Sequence, residues 1–277
     1  MKDLLSLNNL NRSEISILAD LSVEMKRSAQ AKFKRSSHMA GKTLVCAAED
    51  DFDFTAIALA YKYLGGNVFV TLNCADIVEY VKKVSNYGAN LIAIRAKSQA
   101  AVESAAGSAA CSVINAGTDE SSPLETLARV TTLKYCFDAL EGKNIACVGN
   151  KNRALGRELI SFLREEKANV FPFLPYEKTS FYPDEAVVYT QIELALSEAD
   201  ALVDLGVKSK KDYEDFYGSK EGLTDKLLAK AKSGIPLLGR RTLFSGGKES
   251  DYPFSQSDRE EKDYLGACMA VFYYFFR

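Results

Sequence analysis

The sequence predicts an α/β protein made of two doubly wound parallel-sheet domains joined by a long hinge helix. Three observations predict it. Short, continuously apolar runs alternate with helix-length segments, and strands of that kind belong to parallel sheets covered on both faces. The alternation comes in two series, 43–115 and 144–238, with a long helical stretch from Pro123 to Leu140 between them. At 277 residues the chain passes the size at which one hydrophobic core stops growing.

The elements follow in order. Residues 3–35 read as helical: Leu10, Ile15, Ile17, Leu18, Leu21 and Met25 recur at helix spacing, and Asn11 and Glu14 supply an N-cap signal. Strand 43–48 hands over to helix 55–64, which Gly65-Gly66 breaks before strand 67–72. Helix 75–86 ends at Tyr87-Gly88, ahead of strand 90–95, and helix 98–107 leads to strand 111–115. The second series reads as strand 144–149, helix 154–166, strand 168–173, helix 190–197, strand 200–204, helix 221–232 and strand 234–238. Segments 206–220, rich in Lys, Asp, Tyr and Gly, and 239–256, with Gly246-Gly247 and Pro253, read as exposed loops. From Asp258 to Arg277 one side is strongly apolar, as in a terminal helix docking on a core.

Composition narrows the function classes. Hydrophobic residues at 47%, charged residues at 26% and a net charge of −2 are those of a soluble globular protein with no field drawing it to nucleic acid or membrane. No 18-residue apolar stretch is present and the first residues lack a signal-peptide pattern, so the expected location is cytoplasmic. Six scattered cysteines without a C-x-x-C spacing read as reduced, buried thiols. The single histidine, His38, argues against a His-based triad or a His-rich metal site, and no cofactor is implied.

The most unusual segment is Asp50-Asp51-Phe52-Asp53-Phe54, at the turn from strand 43–48 to helix 55–64. Such a turn aims backbone N–H groups and the positive end of a helix dipole at a ligand. Here it carries three carboxylates, with Glu49 just before. The simplest account is favourable placement of Asp in a first helical turn, worth about 0.3–1 kcal/mol each. Clustered carboxylates also suit a divalent cation, though no second acidic cluster completes a shell.

Other candidates also lie where strands end. Arg95 closes one strand, Asp204 another, and Arg240 and Arg241 follow a third. Gly149 to Arg157, with Asn150 and Asn152, loosely resembles a Rossmann turn, yet lacks G-x-G-x-x-G and an acidic residue closing the next strand. Ser122, Pro123 and Glu125 fit an N-cap, a first helical position and a capping box.

The order of these pieces resembles the aspartate/ornithine carbamoyltransferases along essentially the whole chain. The matching pieces are Leu4-Leu5-Ser6-Leu7, Gly41-Lys42-Thr43-Leu44, Tyr63-Leu64-Gly65-Gly66, Val113 to Asp119 and Ala146 to Asn150. The resemblance implies a carbamoyl-phosphate-binding-like domain, 1–133, joined by a returning helix, 258–277, and an amino-acid-binding-like domain, 134–257. It implies a homotrimer, or association with a catalytic paralogue. The family's Ser-Thr-Arg-Thr-Arg turn falls on Asp50, Asp51, Phe52, Asp53 and Phe54, with none of it kept. Its His-Pro-x-Gln motif falls on Ser122, Pro123, Leu124 and Glu125, with only the proline kept. The loop that a neighbouring subunit lends in the family has no room in 71–76. The second-domain motif falls near Pro236 to Arg240 without its histidine or cysteine, Asn150 and Asn152 match a turn in part, and Arg95 survives. The expected function is therefore a carbamoyltransferase-like protein that has lost carbamoyl phosphate and binds a small molecule or a partner. The alternative is a transferase with an altered donor and amino acid.

Overall fold

The structure is a computed structural model that describes residues 3–30, 36–150, 153–172, 192–207, 209–240, 242–245 and 248–275. It divides into two compact units, Met1–Thr131 with Glu261–Arg277, and Thr132–Glu260.

In the first unit a 3-10 turn, Leu7–Asn9, precedes α1 (Arg12–Gln30). Then come β1 (Thr43–Ala48), α2 (Thr55–Tyr63), β2 (Asn67–Thr71), α3 (Ile77–Asn86), β3 (Leu91–Arg95), α4 (Gln99–Ser108), β4 (Ser112–Gly117) and the start of α5 (Pro123–Cys136). All strands are parallel, in the order β2-β1-β3-β4. Residues of β1, β3 and β4 are almost entirely buried, which is why these strands are apolar on both faces. Leu4 adds a parallel bridge to Ile114 at the β4 edge. The Asn11 side chain accepts the Glu14 amide at 2.9 Å, and Glu14 accepts the Asn11 amide in return at 3.1 Å, a reciprocal cap for α1.

The last helix, α10 (Ser257–Phe275), belongs to this unit from Glu261 onward. Its Gly266 sits where a Cβ would lie 2.5 Å from the Ser22 carbonyl, so only glycine lets α1 and α10 approach this closely. Beside it the buried Lys26 ammonium pairs with the fully buried Asp263 carboxylate. The Tyr61 ring meets Phe272 edge-on at 5.1 Å, tying α10 to α2.

The second unit continues with β5 (Asn144–Val148), α6 (Ala154–Glu165), β6 (Asn169–Pro172), α7 (Ile192–Glu198), β7 (Ala201–Asp204), α8 (Tyr213–Tyr217), α9 (Asp225–Leu228), β8 (Leu237–Leu238), β9 (Thr242–Ser245) and β10 (Lys248–Asp251). Its sheet is also parallel, in the order β6-β5-β7-β8. β9 and β10 form a separate antiparallel hairpin.

The α/β architecture with two parallel four-stranded sheets and a C-terminal helix is as the sequence predicts. Five expectations need correction. Residues 3–11 are not part of the first helix, because Leu4 is drawn into the sheet. The helix from Pro123 ends at Cys136. Segment 206–220 contains α8, whose Tyr217 is fully buried, so it is not simply an exposed loop. Helix 221–232 contracts to the single turn of α9, capped by the Thr224 hydroxyl, and 239–256 holds the hairpin. Residues 31–35, 173 and 190–191 of the predicted elements lie outside the described residues.

Candidate functional site

Each sheet reverses its strand order once, and ligands of open α/β sheets bind beyond the carboxyl ends of the strands at that reversal. In the first unit the reversal lies between β1 and β3. Asp50 follows the end of β1 and Arg95 is the last residue of β3. The acidic turn and Arg95 thus flank the position a ligand would take.

The turn is held by its own carboxylates. The Asp50 Oδ2 stands 3.7 Å from Arg95 Nε, too far for a hydrogen bond but within ion-pair range. Asp50 Oδ1 and Arg95 Nε are both buried and lack hydrogen-bond partners. The Arg95 guanidinium lies 5.8 Å from the centre of the Phe52 ring, and Phe52 meets the buried Phe54 edge-on at 4.8 Å. Asp51 accepts the Asn73 side-chain amide at 2.8 Å. Asp53 accepts the Thr55 amide at 2.8 Å, and hydrogen bonds from the Thr55 side chain and backbone hold its carboxyl below the usual range. The preceding Glu49 accepts the Lys97 amide at 2.8 Å, which fastens the turn to the end of β3. Each carboxylate of this turn has a specific partner. Among the described residues, no group of three or more His, Cys, Asp or Glu side chains is placed to hold a metal ion.

Ser122 and Glu125 join the same cluster. A Cβ on Gly117 would lie 3.3 Å from Arg95 Nη1 and 3.8 Å from Ser122 Oγ, so the absent side chain makes room for Arg95 beside the start of α5. Ser122 Oγ donates to Glu125 Oε2 at 3.2 Å, and Glu125 Oε1 faces Arg129 Nη2 at 3.8 Å. Tyr264 on α10 lies within electrostatic reach of Cys268, Glu125, Asp53 and Cys46. Burial first, then those neighbours, push its hydroxyl well above the ordinary tyrosine range. Tyr264, Asn73, Gly117 and Arg129 belong to this neighbourhood, although sequence reasoning did not single them out. Tyr264 and Asn73 arrive by contact across long sequence separations, whereas Arg129 lies one helical turn from Glu125 on α5.

The second unit has its reversal between β5 and β7, where Gly149 and Asn150 follow β5 and Asp204 ends β7. A Cβ on Gly149, whose φ is +93°, would lie 2.8 Å from the Gly206 carbonyl, and the Asn150 amide donates to that carbonyl at 2.8 Å. Asn152 lies outside the described residues. Asp204 is saturated. Its Oδ1 accepts the Tyr217 hydroxyl at 2.6 Å and the Gly206 amide at 2.9 Å, and its Oδ2 pairs with Arg240 Nε at 2.7 Å. Burial, then the Asp204 charge, push the Tyr217 hydroxyl far above its usual range. For Arg240, burial works against the charge but is outweighed by Asp204 and the two tyrosines, so its affinity for the proton rises. The Arg240 guanidinium also lies over the rings of Tyr217 and Tyr213, at 5.5 and 5.9 Å. Asp204 and Arg240, both read from the sequence as ligand candidates, are brought together and spend their charges on each other. Tyr213 and Tyr217, which complete the network, went unnoticed inside a Lys- and Asp-rich run.

Two doubly wound parallel sheets, each with charged side chains gathered at its order reversal, define a two-unit α/β protein with one switch point in each unit. A family model described as aspartate/ornithine carbamoyltransferase, carbamoyl-P binding domain, matches residues 2–135. Residues 2–135 belong to this aspartate/ornithine carbamoyltransferase domain family, and the match to curated carbamoyltransferases continues beyond them.

Among curated relatives, the mitochondrial ornithine carbamoyltransferase of Schizosaccharomyces pombe is 29% identical over 167 residues, 56% of this chain and 51% of that protein. The aspartate carbamoyltransferase catalytic subunit of Natranaerobius thermophilus is 26% identical over 224 residues, 76% of this chain and 72% of that one. The match thus spans about half the length of the first relative and most of the second. Among solved structures, ornithine carbamoyltransferase from Thermus thermophilus superposes with a TM-score of 0.82 at 23% identity, covering 100% of this chain and 99% of that one. Aspartate transcarbamoylase from Trypanosoma cruzi, in complex with carbamoyl phosphate and aspartate, gives 0.80 at 16% identity, covering 98% and 94%. At these identities the structural likeness speaks to the fold. No helix among the described residues is long and apolar enough to cross a membrane.

Proposed function

We propose that this protein is a carbamoyltransferase-family member that does not bind carbamoyl phosphate or transfer its carbamoyl group, and instead binds a partner or a small ligand. The observation that carries this reading is the Asp50–Arg95 pair. The cation nearest the first switch point already faces a carboxylate, and Asp51 and Asp53 add two more negative charges to the same turn. Carboxylates within about 4–6 Å of a phosphate dianion would oppose it by several kcal/mol at an effective dielectric near 20. Transfer from a phosphorylated donor depends on positioning and charge stabilisation, and the turn offers charge of the wrong sign. The test is incubation with carbamoyl phosphate and either aspartate or ornithine. The reading expects no phosphate release and no thermal stabilisation by carbamoyl phosphate, and phosphate release with either amino acid refutes it.

One observation favours a second reading, a transferase with altered specificity. Asp50 Oδ1 is a buried acceptor and Arg95 Nε a buried donor, both without hydrogen-bond partners. A neutral or cationic donor carrying an N–H and a carbonyl would satisfy both. A ligand found by thermal shift whose effect disappears in the Asp51→Asn, Asp53→Asn double variant supports this reading. A screen in which no such ligand stabilises the protein counts against it.

Association as a homotrimer, or with a catalytic paralogue, is part of the first reading. Its support is the exposed apolar edge of the first sheet. The edge strand β2 exposes Phe69 at 64% and Val70 at 50%, Leu72 follows at 40%, and α2 beside it exposes Leu59 at 45% and Tyr63 at 38%. Large apolar side chains exposed on both faces of an open edge strand are what an associating partner would cover.

A further inference from the structure

We infer that residues 3–5 are a strap whose docking on the edge of β4 presets the turn 117–122, so that release of the strap loosens the first switch point. The inference goes beyond the proposed function and holds whichever ligand or partner the protein takes.

The strap is an added strand of minimal length. β4 ends the first sheet, with β3 on its inner side. The Leu4 amide donates to the Val113 carbonyl at 2.9 Å, and the Leu4 carbonyl accepts the Asn115 amide at 2.8 Å. Asp3 fixes the register, because its Oδ1 accepts the Val113 amide at 2.7 Å. Leu4 is fully buried, and Leu5 packs against the core that includes Ile92, Ile94 and Val113.

One atom joins the strap to the turn. The Leu5 carbonyl accepts from Asn115 Nδ2 at 2.9 Å, from Gln99 Nε2 at 3.2 Å and from Ser121 Oγ at 3.2 Å. The same three side chains support the turn or belong to it. Asn115 Oδ1 accepts the Gly117 amide at 2.7 Å. Gln99 Oε1 accepts from Asn115 Nδ2 at 3.1 Å and from the Thr118 hydroxyl at 3.3 Å. The Thr118 hydroxyl oxygen accepts the Ser121 amide at 2.9 Å, and the Thr118 amide donates to the Ser121 carbonyl at 2.8 Å.

Burial makes this network all-or-none. Asn115, Thr118 and Ser121 are 0%, 4% and 4% exposed. Buried donors that lose their acceptor cost more than the hydrogen bond contributed, so the turn cannot keep its arrangement once the Leu5 carbonyl leaves. Strap and turn therefore open together. The turn begins at Gly117, which gives Arg95 Nη1 its room, and runs into Ser122, so its opening reaches the switch point.

The experiment is amide hydrogen exchange on the full chain, read residue by residue by NMR, with circular dichroism confirming the fold of each variant. Asp3→Ala removes the acceptor of the Val113 amide, at the end of the strap away from the turn. Exchange of the Thr118 and Ser121 amides should then quicken about fivefold, as the loss of one hydrogen bond brings. Asp3→Asn keeps a side-chain oxygen for Val113 and should restore wild-type exchange at the turn. Coupling is reciprocal, so Gln99→Leu should quicken exchange of the Leu4 amide by a similar factor. Phe272→Leu weakens the packing of α10 on Tyr61 and should lower the melting temperature while leaving the turn amides at wild-type rates. The inference is overturned if Asp3→Ala leaves the turn amides unchanged, if Asp3→Asn fails to restore them, or if Phe272→Leu quickens them equally. An unchanged Leu4 amide in Gln99→Leu overturns it as well.

Discussion

Arg240 Nε lies 2.7 Å from Asp204 Oδ2, and the two residues close the second unit's switch point with their own charges. Asp204 ends β7 and Arg240 follows β8, so the pair ties together two strands that share little ladder. The Tyr217 hydroxyl and the Gly206 amide fill the other carboxylate oxygen. The Gly239 amide beside Arg240 is bound by Glu260 at 2.9 and 3.2 Å. This end of the sheet is therefore built as core, and a ligand contacting Arg240 would compete with a buried ion pair.

Breaking that pair from one side should cost far more than removing both charges. Arg240→Met leaves Asp204 buried with its strongest partner gone, and the expected loss is about 3–5 kcal/mol in urea unfolding. The Asp204→Leu, Arg240→Met double variant should recover much of it, less the hydrogen bonds of Tyr217 and Gly206. Equal, small effects for single and double variants would mean the pair contributes little, and Arg240 would return as a ligand candidate.

The same logic applies to Lys26 and Asp263, which join α1 to α10 with both side chains nearly free of solvent. Asp263→Ala should destabilise the first unit by about 3–5 kcal/mol. Lys26→Met with Asp263→Leu should be close to neutral, because apolar side chains of similar length replace two desolvated charges. Gly266 sets a second, independent expectation. Gly266→Ala places a methyl 2.5 Å from the Ser22 carbonyl and should force the helices apart. A fall in melting temperature for Gly266→Ala without any loss for Asp263→Ala would show that close packing alone holds the helix.

Much of the fold could be read from the chain because parallel strands such as 91–95 and 144–148 are apolar on both faces and stand apart from their helices. The failures have physical causes. Thr224 caps a helix that α9 continues for only one turn, so a start signal does not fix a length. Tyr217 is buried in a segment whose composition is that of a solvated loop. At the site, positions at strand ends identified Asp50, Arg95, Asp204 and Arg240 as residues beside a switch point. Their pairing depends on strand order, which brings β1 to β3 and β7 to β8. Composition cannot supply that, nor the arrival of Tyr264 from the far end of the chain.

Buried thiols make stability fall at alkaline pH. Burial pushes the Cys46 thiol up to about 12, against 9.0 for an ordinary thiol. Burial, then the Asp3 charge, pushes Cys111 up to about 11. Below pH 9 both forms of the chain keep these protons, and the stabilisation is fully present. Above it the unfolded chain loses them while the native chain does not, so stability drops by up to about 1.4 kcal/mol per pH unit for each such group. The decline should continue until the pH passes the folded values of about 11 and 12. Urea midpoints at pH 8, 9 and 10 measure the slope, and Cys46→Val should make it shallower. An unchanged slope in that variant would show that Cys46 does not couple to folding.

The exposed apolar edge of the first sheet should govern assembly. Phe69 and Val70 lie on β2, which pairs only with β1 among the described residues and leaves its other edge open. An edge strand bearing exposed Phe and Val is a liability in a lone molecule, because its unpaired backbone and apolar side chains both invite a partner. Phe69→Glu and Val70→Glu place charge on that edge at little cost to the core, since both side chains are already half-exposed or more. If the patch is a subunit contact, light scattering should find an oligomer for wild type and monomers for these variants, with circular dichroism unchanged. The shift toward monomer should deepen on dilution, because association depends on protomer concentration by mass action. A wild type that is already monomeric at high concentration would remove the homo-oligomer and leave a different chain as the partner for this surface. A wild-type oligomer that survives both substitutions would place the contact elsewhere.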